Sequence, residues 1–201
     1  MPINYVHQRD RLGLDPAVLQ AEPHVDGSFV VVNGDNIFGT SLRPVVEAAD
    51  REDTDGALAV TTVSREAATK TGVIETVDGS VTDIVEKPTD PPSTLVKTGC
   101  YVLPEDVFEA CKLVQLSAEG EYQLSEAVGL LVSAGYAIET VQIDERVNFN
   151  QPDDIDRARE LVASGDEQVY ELTTRGSYQS RLSSYHSMNS RTSSRISREG
   201  S

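Results

Sequence analysis

An aspartate that follows a short apolar run is the first residue of this sequence with clear chemical potential. Asp35 comes directly after the run 29–33, FVVVN, and its Gly34, a pattern that predicts a buried strand ending in a polar turn. Ligands of open parallel sheets bind beyond the carboxyl ends of the strands. A carboxylate there can hold Mg²⁺ beside phosphates, because this ion prefers oxygen ligands. From the spacing alone, an aspartate that only forms the turn is an equally good interpretation.

The tripeptide Glu86-Lys87-Pro88 is the second candidate group. Lys87 offers a compact cation to a phosphate, and Glu86 can accept hydrogen bonds from sugar hydroxyls. Pro88 would stiffen the chain after them. Taken alone, the tripeptide is better explained as a surface ion pair before a loop. Its position among the other motifs has to decide between this explanation and a phosphate-binding role.

The elements that would position these residues follow a mixed α/β pattern. A strand, a helix and a strand at the start predict a parallel crossover, and Asp78-Gly79 between two β-branched runs predicts a hairpin. The predicted strands are 29–33, 57–63, 72–75, 81–86, 100–103 and 137–143, and the predicted helices are 42–49, 105–113, 125–134 and 152–162.

Composition divides the chain into one domain and a tail. Residues 1–165 are long enough for a single α/β core. From 166 to 201 the chain becomes rich in Ser and Arg, and without an apolar face it cannot offset its ordering entropy, which predicts disorder. The net charge is -16, and the five Arg and one Glu of the last 27 residues leave -20 on the rest. Such a body repels nucleic acid, and its many carboxylates with few lysines are typical of proteins from a high-salt cytosol.

Membrane, secretory and cysteine-based functions find no support in the sequence. Apolar runs fall short of the roughly 20 residues that a membrane helix needs, and the first residues lack a signal-peptide pattern. A cytoplasmic location is therefore expected. Cys100 and Cys111 lack the spacing of a zinc site, so we expect two small buried apolar residues and no disulfide.

The order of the motifs supplies a resemblance that no motif carries alone. The segments QRDRLGLDPAVL, FVVVNGDNIF, TGVIE, DIVEKP, KTGCYVLPEDVFE, GEYQLSEAVGLLVSAGY and VNFNQPDDIDRA occur in this order between about residues 3 and 161. The chain thereby resembles the sugar-1-phosphate nucleotidyltransferases, which include glucose-1-phosphate thymidylyl- and uridylyltransferases. The resemblance implies a Rossmann-like, GT-A-like mixed sheet with helices on both faces. The EKP and GEYQL segments favour a nucleotidyltransferase over a retaining glycosyltransferase with a similar sheet.

The resemblance also implies a function and a set of residues. The reaction joins a nucleoside triphosphate, UTP or dTTP, to a sugar-1-phosphate and releases pyrophosphate, with Mg²⁺ as cofactor and a homo-oligomer as a compatible assembly. The implied residues are Gln8 and Gly13 at the base, Asp35 and Asn148 at the metal, Lys87 at the phosphate, and Gly72, Glu86, Thr98, Gly99 and Glu121 at the sugar. Asp35 and Lys87 would carry catalysis.

Two departures from the family pattern shape the expectation. Asn148 stands where an aspartate is common, and an amide oxygen can coordinate Mg²⁺ without adding charge. The family also begins with a strand and a glycine-rich loop that grips the triphosphate, and the first residues here do not match them. We therefore expect weak or no activity from this chain alone, and the alternative is a non-catalytic sugar-phosphate-binding or interaction module.

Overall fold

The computed structural model describes residues 3–10, 12–117, 120–149 and 151–164 of the chain. The strands are β1 (Phe29–Val32), β2 (Asn36–Phe38), β3 (Gly56–Thr62), β4 (Gly72–Val77), β5 (Ser80–Glu86), β6 (Leu95–Leu103), β7 (Ile138–Gln142) and β8 (Arg146–Asn148). The helices are α1 (Leu14–Leu19), α2 (Arg43–Ala49), α3 (Arg65–Ala68), α4 (Val107–Cys111), α5 (Leu124–Ser133) and α6 (Asp154–Ser164), with a 3-10 turn at Glu22–His24. The predicted boundary at 165 and the Ser/Arg-rich tail lie outside the described residues.

A six-stranded mixed sheet forms the centre of the fold. Its order is β1-β6-β3-β7-β5-β4. β3 and β7 pair in parallel, whereas β6 pairs antiparallel with both β1 and β3. β2 and β8 form a separate antiparallel pair. The prediction of a mixed sheet is confirmed.

Helices cover both faces of this sheet, because the side chains of β3 alternate between them. Leu58 and Val60 belong to a core cluster that includes residues of α1, α4 and α5. Ala57 and Ala59 pack in a second cluster with residues of α2. The two-residue period of a strand thus sends one apolar set to each face, and the expected helices on both faces are confirmed.

β1 is buried on one face only, which differs from the prediction. The run FVVVN was expected to be a buried strand, but among the described residues β1 pairs with β6 alone, at an edge of the sheet. Phe29 and Val31 pack on the core, whereas Val30 and Val32 are 49% and 46% exposed. β1 and β3 both pair antiparallel with β6, which lies between them, so they run parallel to each other as the predicted crossover requires. A β-branched run shows that a strand forms, and its neighbours are set by strands much later in the chain.

The hairpin was predicted correctly. β4 and β5 pair antiparallel with Val77 opposite Ser80. Asp78 and Gly79 connect them with φ values of 52° and 91°. Two residues of positive φ are what a tight turn needs to match the twist of its strands.

Short elements and element ends account for the other differences. α1, α3, β2 and β8 were not predicted, since three to six residues are too few to show a period. β6 begins five residues earlier than expected, and α6 begins at Asp154, two residues after Pro152. No helix in the described part of the chain is long and apolar enough to cross a membrane.

Both cysteines are buried and unpaired, as predicted. Burial raises the pKa of the Cys100 thiol to about 11. Burial, together with Asp15, also raises the pKa of Cys111. Neither thiol is therefore a nucleophile near neutral pH.

Candidate functional site

Asp35 lies in a cluster of amides just beyond the end of β1. The Asn36 side chain donates to Asp35 Oδ1 at 2.7 Å, and Asn148 Nδ2 lies 3.4 Å from Asp35 Oδ2. The β2–β8 ladder explains this proximity, because it pairs Asn36 directly with Asn148. The structure thus brings together Asp35 and Asn148, which are 113 residues apart in the sequence. Asp35 itself is exposed to solvent.

Gly99 supports this cluster from below. It has φ of 81°, and a Cβ at Gly99 would lie 2.9 Å from Asn36 Nδ2 and 3.0 Å from Asn33 Nδ2. The register of β3 against β6 shifts beside it, between Leu58 and Val60. Such an irregularity bends a strand locally and is frequent beside active sites. Only glycine meets both the positive φ and the close approach of the two amides.

An arginine completes the cluster and was not predicted. Arg146 in β8 donates to Asn36 Oδ1 at 2.8 Å. Burial lowers the pKa of Arg146, and the charge of Asp35 works in the opposite direction. Arg146 is therefore a half-buried cation close to the Asp35 carboxylate.

Glu86 lies in a second cluster with a lysine and a serine. Lys97 Nζ lies 2.6 Å from Glu86 Oε2 and 3.0 Å from Ser125 Oγ, and the Ser125 hydroxyl donates to Glu86 Oε2 at 2.7 Å. The side chains of Glu86 and Lys97 are only 19% and 16% exposed. These residues come from β5, β6 and α5, so the cluster exists only in the folded chain.

Lys87 is exposed directly after β5 and has an unusual backbone. Its φ is 43°, one of two positive values among the described residues other than glycine. The Lys87 amide donates to Thr71 O at 3.1 Å, which anchors the turn. Left-handed backbone at a bulky residue costs free energy and is enriched at ligand-binding positions.

Gly72 and Thr98 have structural roles in addition to any contact with a ligand. A Cβ at Gly72 would lie 2.6 Å from Lys97 Cε and 2.9 Å from Glu86 Oε2. Thr98 is 1% exposed and its hydroxyl donates to Ala59 O at 2.8 Å. A sugar contact from Thr98 would therefore have to use its backbone.

Gln8 and Gly13 meet each other and the segment around Glu121. Gln8 Nε2 donates to Gly13 O at 3.2 Å, and Gly13 pairs with Tyr122. A Cβ at Gly13 would lie 2.3 Å from Tyr122 O. Glu121 is exposed, with Gln123 Nε2 at 3.4 Å from its Oε2. The expected base-binding segment and the GEY segment are thus neighbours.

β6 joins the two polar clusters. Lys97 belongs to the Glu86 cluster, and Gly99, two residues later, contacts the Asp35 cluster, so their Cα atoms are at most about 7 Å apart. Tyr101, further along the strand, is 2% exposed. Burial raises the pKa of Tyr101, and the charges of Glu86 and Asp35 raise it further.

Comparison with known proteins decides the family. A model of the nucleotidyl transferase family matches residues 1–146. This chain belongs to that family. It is 42% identical over 164 residues to the UTP–glucose-1-phosphate uridylyltransferase AglF of Haloferax volcanii, which covers 81% of this chain and 68% of that protein. The low-salt glycan biosynthesis nucleotidyltransferase Agl11 of the same organism is 33% identical over 163 residues, covering 80% and 45%.

Solved structures support the same fold for this nucleotidyl transferase chain. A UDP-glucose pyrophosphorylase complexed with UDP-glucose superposes with a TM-score of 0.70 at 24% identity, covering 78% of this chain and 64% of that one. A putative glucose-1-phosphate thymidylyltransferase from Bacillus anthracis gives a TM-score of 0.66 at 24% identity, covering 78% and 63%. The chain thus spans about two thirds of these proteins. The Rossmann-like fold expected from the resemblance is confirmed.

Nucleotidyl transferases generally use a divalent metal ion, and the Asp35 cluster fits a weakly held one. Among the described residues, no three His, Cys, Asp or Glu side chains form a metal-binding group. Asn148 Oδ1 is buried and has no hydrogen-bond partner in the described part of the chain. Turning this amide over would place its oxygen beside Asp35, where a cation could bind both. One carboxylate and one amide suit an ion that substrate phosphates also hold.

Sequence reasoning missed four residues of the two polar clusters: Asn36, Lys97, Ser125 and Arg146. Asn36 and Lys97 lie beside residues that were singled out, one position from Asp35 and from Thr98 respectively. Nothing local marks Ser125 or Arg146, because each acquires its polar partner through the tertiary fold.

Proposed function

We propose that this chain carries the site for nucleotidyl transfer between a nucleoside triphosphate and a sugar-1-phosphate. The observation that carries the proposal is that Lys97, bonded to Glu86, and Gly99, packed against Asn33 and Asn36 beside Asp35, lie two residues apart on β6, so that one strand links both clusters. The names of the relatives favour UTP over dTTP and glucose-1-phosphate over other sugars.

The reaction is a substitution at phosphorus. An oxygen of the sugar-1-phosphate attacks the α-phosphorus of the triphosphate, and the bond from that phosphorus to the oxygen bridging to the β-phosphate breaks. Pyrophosphate leaves with the bond electrons, and the nucleotide sugar remains. No protein nucleophile is needed, so catalysis depends on alignment and on neutralising phosphate charge.

The two clusters divide the substrates between them. Glu86 accepts hydrogen bonds from sugar hydroxyls, while Lys87, exposed one residue later, pairs with the sugar phosphate. Gly72 and Gly99 border the sugar and make room for the side chains of the two clusters. Thr98 contributes through its backbone, and Glu121 borders the sugar. Gln8 and Gly13 receive the base, supported by the hydrogen bond from Gln8 to Gly13 and by the pairing of Gly13 with Tyr122.

Asp35 and Asn148 would hold Mg²⁺ at the reacting phosphate. The ion supplies positive charge where negative charge accumulates during transfer. Arg146 remains behind this pair, bonded to Asn36, and orients the amide cluster that faces Asp35. A nucleoside triphosphate substrate also supports a cytoplasmic location.

The proposal is tested by binding and by turnover with the 201-residue protein. Calorimetry with UDP-glucose should show saturable binding that Lys87→Ala weakens, and the exposed Lys70→Ala is the matched control. UTP, glucose-1-phosphate and Mg²⁺ should then be followed for UDP-glucose and pyrophosphate. Absence of UDP-glucose binding would refute the proposal. Binding without turnover agrees with the weak or absent activity expected of this chain alone, and the same assay is then run on a version that carries an upstream glycine-rich loop. Absence of turnover in that version too would favour the alternative, a non-catalytic sugar-phosphate-binding module.

A further inference from the structure

Lys97, Glu86 and Ser125 form a closed triangle of polar contacts. The three distances are 2.6, 3.0 and 2.7 Å, and both bonds to the carboxylate end on the same oxygen, Oε2. Ser125 is 2% exposed. Each side of the triangle joins a different pair of elements, from β5, β6 and α5, so the carboxylate is fixed from two directions.

Gly72 forms the floor of the triangle. A Cβ there would lie 2.6 Å from Lys97 Cε and 2.9 Å from Glu86 Oε2. Gly72 is paired with Glu86 in the β4–β5 ladder. The missing side chain therefore makes the space that the lysine stem and the carboxylate occupy, and the glycine is explained by this pair.

The geometry separates the two oxygens of Glu86. Lys97 and Ser125 both bind Oε2, and neither of them binds Oε1. A carboxylate is an acceptor only, and a carboxylate whose orientation is fixed loses less entropy when a ligand hydroxyl binds it. Lys97 does not need to touch the sugar to affect its binding.

We propose that Lys97 is a positioning residue for sugar recognition: it fixes Glu86 through Oε2 so that Oε1 accepts hydrogen bonds from the sugar hydroxyls. This inference rests on the proposed function. The competing explanation is a structural ion pair that only ties α5 to the sheet. That explanation predicts that replacing Lys97 lowers the stability of the fold without weakening the binding of the sugar in particular.

UDP-glucose and UDP are the probes that separate these explanations, because they differ only in the glucosyl group. Calorimetry with Lys97→Met should show about tenfold weaker binding of UDP-glucose, the size of one lost hydrogen bond to a charged group, and nearly unchanged binding of UDP. Lys70→Met is the matched control, since Lys70 is 72% exposed in a surface pair with Glu66. It should bind both ligands like the wild type.

A double-variant cycle tests whether Lys97 acts through Glu86. Glu86→Gln should weaken UDP-glucose binding, and adding Lys97→Met to it should weaken binding little further, because the carboxylate to be positioned is already gone. The double variant replaces the ion pair by neutral groups of similar volume and is expected to fold. Ser125→Ala keeps both charges and should give a smaller loss of the same ligand-specific kind.

Each outcome decides the inference. Wild-type binding of UDP-glucose by Lys97→Met overturns it, as does an effect of equal size on UDP. Additive losses in the double variant also overturn it, because Lys97 would then act independently of Glu86. If Lys97→Met does not fold, an unchanged UDP-glucose affinity in Ser125→Ala overturns it. If the wild-type protein binds UDP but not UDP-glucose, the proposed function fails first, and this result is distinct from the others.

Discussion

Asn148 Nδ2 lies 3.4 Å from Asp35 Oδ2, so an amide faces the carboxylate where a second carboxylate would give a stronger cation site. The cluster therefore carries one carboxylate, Asp35, and the cation Arg146, which is hydrogen-bonded to Asn36. A cation bound there depends on the phosphates of the substrate for much of its coordination.

Asn148→Asp should convert the cluster into a tighter cation site. Two carboxylates at this distance repel each other, so without divalent ions we expect a melting temperature lower by about 2 to 4 °C. Mg²⁺ should remove this loss and stabilise the variant more than the wild type. Thermal melts with and without Mg²⁺ measure both effects, and Asn148→Ala controls for loss of the amide. An identical Mg²⁺ response in variant and wild type would contradict the assignment.

Lys87 and Asp35 should affect different kinetic constants. Lys87→Ala removes a cation from the sugar phosphate and should mainly raise the KM for glucose-1-phosphate. Asp35→Ala should mainly lower kcat and raise the Mg²⁺ requirement, because charge at the reacting phosphorus matters most in the transition state. Steady-state assays test this division in a version of the protein that carries an upstream glycine-rich loop, with both substrates and Mg²⁺ varied. Equal, small effects of both changes on every constant would favour an aspartate that only forms a turn and a lysine in a solvated ion pair.

Gly13→Ala should be far more destabilising than Gly27→Ala. Both glycines have positive φ, 114° and 79°. A Cβ at Gly13 would lie 2.3 Å from Tyr122 O, whereas one at Gly27 meets nothing within 4 Å. We expect a loss of about 1 kcal/mol at Gly27 from φ alone and about 3 kcal/mol or more at Gly13, where backbone must move. Urea unfolding of both variants measures the difference, and similar losses would show that the Gly13 approach is not tight.

Local pattern predicted the hairpin and most long elements, because turn chemistry and periodicity act over a few residues. β1 shows the limit: FVVV indicates a strand, but its edge position depends on β6, which begins more than 60 residues later. Thr98 shows another limit, since the sequence could not show that its hydroxyl donates a hydrogen bond to the carbonyl of Ala59. Residues in motifs that follow the family's order were found by resemblance. Lys97 and Arg146 could be recognised only from the folded structure, which shows their contacts with Glu86 and Asn36.

Asp15 should make stability depend on pH. It is 1% exposed in α1, and its Oδ1 has no hydrogen-bond partner among the described residues. Burial raises the pKa of Asp15 above its ordinary value of 3.8, a hydrogen bond from Cys111 lowers it, and the charge of Glu126 raises it. A raised pKa in the folded state means that the neutral carboxyl stabilises the fold fully below the unfolded value, and that this stability is lost as pH rises through the folded value.

Asp15→Asn tests this dependence, because the amide stays neutral at every pH. As the pH rises from the ordinary value of 3.8 through the raised folded value, the wild type should lose stability relative to the variant. The free energy of unfolding of Asp15→Asn minus that of wild type should therefore become more positive in this window. Urea unfolding at several pH values in this window gives the difference directly. The exposed Asp26→Asn removes one charge without a buried carboxyl and should show a flatter difference. A constant difference for Asp15→Asn across the window would mean that the buried carboxyl does not titrate there, and that Cys111 compensates its burial fully.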